Sequence, residues 1–307
     1  SLKKNAGNLG AFYLDNYDID SDFEVLGSCN YAYLLSLFVG LPVIPVVSID
    51  RSEQHIMAVY EAKESGIIST DVVAFRVTPE DFQEYDLISE DIVDELDGVF
   101  NLFSNIDLVL DSRVCLTHNV DDMSGKICSF IQKFIHDYNV RKIIITGSTI
   151  PASISGIIGV ESDTEIIRVE VEIFQRVISE IGKEFSLTFG DYGTVSPNYS
   201  DIDIPATSMR RVTAPKIIYS YDNHHYIIRG GALHTHPLAE RQYEGMCSTV
   251  LSKSYYRGED YSFGDRYLDE KSRGEGNNAT PSTMVKPLVN SHITYMCKDF
   301  DHAKTSS

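Results

Sequence analysis

Seven short runs rich in β-branched residues, separated by stretches of helical period, constrain this chain more than any other feature. They are residues 11–15 (AFYLD), 42–49 (PVIPVVSI), 72–77 (VVAFRV), 106–113 (IDLVLDSR), 142–149 (KIIITGST), 186–191 (SLTFGD) and 216–221 (KIIYSY). Most are continuously apolar, as strands covered on both faces must be. Strand and helix alternating along the chain is the signature of β-α units and a parallel sheet.

The intervening helices are legible from their start signals and periodicity. Thr78-Pro79-Glu80-Asp81 offers an N-cap, a proline at the first helical position and two acids in the first turn, so a helix is expected directly after the third run. Met123, Ile127, Ile131, Phe134, Ile135 and Tyr138 fall on one helical face. A further helix is predicted over residues 164–181, with Ile167, Val171, Phe174, Ile178 and Ile181 as its buried stripe.

Seven strands alternating with helices suit a doubly wound sheet or a (β/α) barrel. No G-x-G-x-x-G or G-x-x-x-x-G-K-[ST] follows any strand, which favours the TIM-barrel-like α/β reading over a nucleotide-binding open sheet. The eighth strand of such a barrel is sought at residues 292–296 (HITYM) or upstream of Ser1. Residues 1–301 are read as one domain, of which 216–301 is a hairpin plus C-terminal extension, and 302–307 as a disordered tail. The hairpin turns at Asp222-Asn223. A helix is expected near residues 240–252, then a Gly, Ser and Asn-rich tract to Asn278 that is either an ordered lid or a loose loop.

Composition narrows the setting. With 26 Lys and Arg against 45 Asp and Glu, the formal net charge of −19 repels polyphosphates and disfavours bulk nucleic-acid binding. No apolar stretch reaches the length of a membrane span and no signal peptide is seen, so a cytoplasmic protein is expected. Five scattered cysteines without a C-x-x-C pair suggest reduced thiols rather than disulfides or a cysteine zinc site.

In a barrel, side chains at the C-terminal ends of the strands surround the pocket. Asp50, Arg51, Arg76, Asp111, Ser148, Asp191 and Tyr192 all stand at such ends and are the candidate ligand-binding residues. Each alone has a plain structural explanation as a turn residue, a cap or half of an ion pair. Gly190-Asp191-Tyr192-Gly193 can present an acid and a phenol into a cavity, or can be a glycine-bounded loop. Arg168 and Glu172, four apart, are read as a surface helix pair. His224-His225 in a hairpin turn and His234-Thr235-His236 in a strand can each supply metal ligands, but neither has a fixed acidic partner, and no metal is expected. G-x-S-x-G is absent, leaving Ser148 after Gly147 as the candidate nucleophile of any Ser-His-Asp arrangement.

Several segments, in order, resemble the Beta protein family of satellite phages and prophage islands: 45–51, Ala74-Phe75-Arg76, 146–151, Arg168-Val169-Glu170, Gly190-Asp191-Tyr192-Gly193, Ser262-Phe263-Gly264-Asp265 and His292-Ile293. The chain departs from it in having no tryptophan, and the strand and helix that usually stand upstream of the segment matching residues 11–15 are not read here. The resemblance implies a protein of anti-phage defence encoded beside a cell-killing partner; it implies no reaction and leaves any cofactor unknown. Two functions follow as expectations. One is a partner-binding or toxin-regulating barrel. The other is an enzyme or sensor holding a small anionic ligand, a nucleotide or phosphate, on strand-end arginines whose guanidinium forks suit phosphate.

Overall fold

A computed structural model of the chain describes residues 10–198 and 213–301. All seven predicted runs are strands, and six of them lie in one sheet. In chain order the elements begin with β1 (Phe12–Leu14), the small antiparallel pair β2 (Glu24–Val25) and β3 (Ser28–Cys29), α1 (Asn30–Leu37), β4 (Val43–Val47), α2 (Glu53–Glu64), β5 (Val72–Val77), α3 (Tyr85–Phe100), β6 (Asn105–Val114), α4 (Val120–Asp137) and β7 (Val140–Ser148). There follow β8 (Ser162–Ile167), α5 (Val169–Ile181), β9 (Leu187–Phe189), β10 (Lys216–Tyr221), β11 (His224–Arg229), α6 (Gln242–Leu251), α7 (Phe263–Ser272) and α8 (Pro281–Lys298).

The large sheet runs β1-β4-β5-β6-β7-β9, with β1–β4, β4–β5, β5–β6 and β7–β9 paired in parallel, and it curls into half a barrel. Helical crossovers permit this order. Every residue of β4 and β5 is buried, which is why both read as unbroken apolar runs. The barrel does not close among the described residues. The seventh run, β10, is outside the sheet: it pairs antiparallel with β11, and β11 with β8, in a separate three-stranded sheet. Residues 292–296, the proposed eighth strand, lie inside α8, which Thr280 starts with a capping box and Pro281 at the first turn.

Contacts gather the chain into two compact units. The first comprises Ser1–Arg113, Asn119–Thr146 and Arg176–Gly190; the second comprises Val114–His118, Gly147–Gln175 and Asp191–Ser307. In the first, α4 is capped by Asn119, whose side chain accepts the Asp122 N–H at 2.9 Å, and buries Met123, Ile127, Ile131 and Phe134 as its periodicity predicts. Thr78 to Asp81 is a separate turn, tied by the Thr78 N–H and hydroxyl to the Asp81 carboxylate at 2.9 Å, and α3 starts later, at Tyr85. The helix expected from 164 begins at Val169, because residues 162–167 are drawn into β8 by pairing with β11.

In the second unit the hairpin is as read, with Tyr221 opposite His224 across Asp222-Asn223. His224 and His225 belong to β11 rather than to the turn, and His234 and His236 lie in a turn rather than a strand. The tract expected as lid or loop contains α7, started by the Ser262 hydroxyl accepting the Asp265 N–H. α7 packs so closely on α8 that a Cβ on Gly264 would stand 2.0 Å from the Pro287 carbonyl, so only glycine fits. Tyr219, Tyr226, Tyr243, Cys247 and Leu268 are in the core beneath these helices. Residues 302–307 lie outside the described residues. Among the described residues no helix is long and apolar enough to cross a membrane.

Candidate functional site

The first unit carries a network of arginines and carboxylates at the C-terminal ends of its strands. Asp15 follows β1 and shares its oxygens: Oδ1 accepts from Arg51 Nη2 at 2.6 Å and Oδ2 from Arg76 Nη1. Arg76, near the end of β5, donates through Nη2 to Asp111 Oδ2, and Asp111, fully buried, also takes the Arg113 N–H at 2.8 Å. Arg113 stands at φ 50°, a left-handed conformation that costs a non-glycine residue about 1–3 kcal/mol. Its guanidinium meets Asp18 at 3.1 Å. The Tyr17 ring lies 4.0, 4.3 and 4.7 Å from the guanidinium carbons of Arg76, Arg113 and Arg51. Burial, then the charge of Asp50, pushes the Tyr17 phenol above its ordinary range, against the pull of the three cations.

This network borders a cavity of about 280 Å³ lined by Asn16, Tyr17, Cys29, Asn30, Asp50, Arg51, Ser52 and His55 among others. Ser52 is the N-cap of α2, so the cavity opens beside a helix N-terminus with its partial positive charge. Two buried polar atoms of the lining residues have no hydrogen-bond partner: Arg51 Nε and Asn16 Oδ1. Asp50 Oδ1 lies 3.6 Å from Arg51 Nε, beyond hydrogen-bond reach. Asn16 Nδ2 bonds Asn30 Oδ1 at 2.5 Å, while Asn30 Nδ2 reaches the carbonyls of Asp20 and Phe23. That arrangement fixes which end of Asn16 is the oxygen. His55 stacks on Tyr31 at 3.9 Å, with its Nε2 on the Val46 carbonyl, and burial pulls its pKa down to about 4.

The second unit holds a closed polar ring. Arg168, fully buried, gives Nε to Glu170 Oε1 at 3.0 Å and Nη2 to Asp191 Oδ2 at 2.6 Å. Glu170 Oε2 accepts the N–H and hydroxyl of Thr149. Asp191 Oδ1 takes the N–H of Gly193, whose φ of 66° suits glycine, and Oδ2 meets His292 Nε2 at 2.8 Å. His292 Nδ1 is 2.7 Å from Ser220 Oγ, which is 2.9 Å from His225 Nδ1. His225 Nε2 faces Glu170 Oε1 across 3.9 Å. Burial would raise the Asp191 carboxyl, but His292, then Arg168 and the Gly193 N–H, hold it well below the usual range. Burial, reinforced by Arg168 and His292, drives His225 well below its ordinary value.

Ser220, His292 and Asp191 have the membership of a nucleophilic triad. Ser220 is 1% exposed and its oxygen sits between two imidazoles, so it relays hydrogen bonds and is not presented to a substrate. Beneath it Arg257 bonds the Ser220 carbonyl and Ser291 Oγ, with the rings of Tyr219, Tyr261 and Tyr295 within 5.0 Å of its guanidinium. No group of three or more His, Cys, Asp or Glu able to hold a metal occurs among the described residues.

Of the residues picked from the sequence, Asp50, Arg51, Arg76 and Asp111 fall in the first unit, where Asp15 joins the two arginines and Arg76 reaches Asp111. Ser148, Asp191 and Tyr192 fall in the second. There Ser148 ties its loop by bonds with the Val195 carbonyl and the Ile150 N–H. Arg168 corrects the surface-pair expectation: it precedes α5, is fully buried, and pairs with Glu170 and Asp191. Asp15 ends a predicted strand and was open to the same strand-end argument that picked Asp50. The roles of Asn16, Thr149, Ser220 and His225 carry no local signal.

The Beta protein family model matches residues 1–298, and the chain belongs to that family. No curated protein and no solved structure matches it.

Proposed function

We propose that this member of the Beta protein family binds a small anionic ligand, a phosphate or phosphate ester, in the cavity beside Arg51 and the N-terminus of α2. One observation carries the reading: Arg51, its side chain 8% exposed, lines that cavity and keeps a buried Nε without a hydrogen-bond partner. An unmade bond to a buried guanidinium is unfavourable, and an anion supplies the missing acceptor. The helix terminus adds orphan N–H groups and half a positive charge. Asp50, loosely placed at 3.6 Å and 36% exposed, stands where it can swing to solvent when an anion arrives. Whether the bound ligand is sensed or transformed, Arg76 and Asp111 act as the frame that holds Asp15 and, through it, Arg51.

The test is thermal melting with inorganic phosphate. At about 100 times Kd, binding adds about 2.7 kcal/mol to the native state, a shift that Arg51→Ala removes. An equal shift in wild type and variant, or none in either, would falsify the reading.

A second reading is favoured by the β2–β3 tip. Leu26 is 90% exposed at φ 55° and Phe23 is 58% exposed, an apolar and strained display suited to a protein partner. Together with the family likeness, this supports a role in mobile-element defence, with a partner encoded in the same locus and a toxin as the first candidate. Deleting the gene from its native locus is expected to change phage plating or the toxicity of the neighbour; unchanged values of both would remove this role.

A further inference from the structure

The cavity beside Arg51 has two walls of different build. One is the turn from β4 into α2, with Arg51 and the capping Ser52. The other is a single excursion of the chain, residues 16–30, which supplies Asn16, Tyr17, Ile19, Ser21, Cys29 and Asn30. Its ends are clasped by the buried pair Asn16 and Asn30, whose side chains meet at 2.5 Å. Between them none of residues 17–29 is buried, and Ile19, Phe23 and Leu26 are exposed. A segment with no buried apolar side chain has little free energy holding it down and opens before the core does. This one is tied to the strand-end arginines by the Tyr17 ring, against three guanidinium groups, and by Asp18 on Arg113 at 3.1 Å. Asp18 is outside the cavity lining, and its pair with Arg113 is partly exposed to solvent.

Resting on the anion-site reading above, we infer that residues 17–29 are a lid over the anion site. The lid swings on the Asn16–Asn30 clasp to admit the ligand and shuts over it, and Asp18 on Arg113 is its latch. An anion on Arg51 sits between the two walls, so it binds the shut state more tightly than the open one and shifts the lid towards closure. Without the anion, the latch sets how often the lid opens. A partly exposed ion pair contributes modestly and is screened by salt, so the latch yields to substitution and to ionic strength alike. Cys29 reports the opening, because its half-buried thiol belongs to the cavity wall, whereas Cys128 is buried in α4 and Cys297 is exposed.

The experiment is the rate of iodoacetamide alkylation of each cysteine in the full chain, read by peptide mass. Asp18→Ala is expected to speed Cys29 about 2- to 5-fold, with Cys128 and Cys297 unchanged. Raised salt should do the same to wild type and little to the variant, which keeps the test open where Asp18→Ala folds poorly. Inorganic phosphate at about 10 times Kd should slow Cys29 alone, by about 10-fold, because only the open, unliganded state is alkylated. A Cys29 rate indifferent to the latch or to phosphate, beside an intact Arg51-dependent melting shift, overturns the lid and leaves the anion site standing. Absence of the Arg51-dependent melting shift overturns both.

Discussion

The two units each build a buried arginine network, and the networks differ in how completely they are closed. Arg168 in the second unit spans Glu170 and Asp191, and the ring continues through His292, Ser220 and His225 until only the His225 Nε2 atom lacks a hydrogen bond. Arg51, Arg76 and Arg113 in the first unit are matched by Asp15, Asp18 and Asp111, yet Arg51, which lines a cavity, keeps an Nε with no hydrogen bond and only a loose 3.6 Å ion pair with Asp50. Charge pairs alone therefore do not identify a site. A sealed ring fixes a fold, whereas an unmet donor in a wall leaves room for a ligand.

The largest expected effect lies in the sealed ring. Arg168→Met preserves bulk but takes the guanidinium from two largely buried carboxylates, Glu170 and Asp191, and should cost about 3–5 kcal/mol in denaturant unfolding. A cost below about 1 kcal/mol would show that the ring is no keystone. Arg76→Met in the first unit should cost less, about 2–3 kcal/mol, because Asp15 retains Arg51 while Asp111 loses its guanidinium. Equal losses in the two variants would erase the distinction between the networks.

These pairs also show what the sequence could and could not disclose. Six of the seven apolar runs gave the parallel sheet because burial on both faces leaves a local signature, as in β4 and β5. β10 has the same composition, and its pairing with β11 is decided by the two-residue turn between them. β8 reads Ser162-Asp163-Thr164-Glu165 and two isoleucines, too polar to look like a strand, and its conformation comes from β11 alongside it. Missing β8 shifted the start of α5, and that shift put Arg168 on a helix surface when it is wholly enclosed. Residues 292–296 look strand-like by β-branching, but Thr280-Pro281 sets a helix that runs through them. Strand-end reasoning found Arg51, Arg76 and Asp111; the hydrogen bond missing at Arg51 Nε is a property of packing and has no trace in the sequence.

Acid should act in two pH windows, an upper one set by buried histidines of both units and a lower one to which Asp191 of the second unit contributes. His55 and His225 both have folded pKa values below the unfolded 6.5, so the unfolded chain binds the extra protons and stability rises with pH. Their contribution is complete above about pH 6.5 and declines as pH falls below it. For His55 the decline ends near its folded value of about 4 and amounts to roughly 3 kcal/mol. Asp191, held below the carboxylate range, adds a loss that begins only below about pH 3.8. His55→Gln is expected to reduce the slope of the melting profile between pH 6.5 and 4 by the share of His55, with that of His225 remaining, and to leave the loss below it. An unchanged slope in the upper window would mean that His55 does not titrate as its burial dictates.

The smallest stability effect, and the most informative about function, belongs to Asp50→Asn. Asp50 is more than a third exposed and its oxygen is 3.6 Å from Arg51 Nε, so its ion pair is loose and solvent-screened, and its removal should change stability by no more than about 0.5 kcal/mol. Its charge nevertheless opposes any anion entering the cavity it lines. At an effective dielectric near that of a protein surface, a like charge several ångströms away is worth on the order of 1–2 kcal/mol, so phosphate should bind about 5- to 30-fold tighter to the variant. Added salt should narrow that gain, since screening weakens the repulsion in wild type more than in the neutral variant. Titration of both proteins with phosphate at two ionic strengths reads the effect directly. Weaker binding in Asp50→Asn would mean that Asp50 helps hold the site in its binding geometry, and would overturn the repulsion argument.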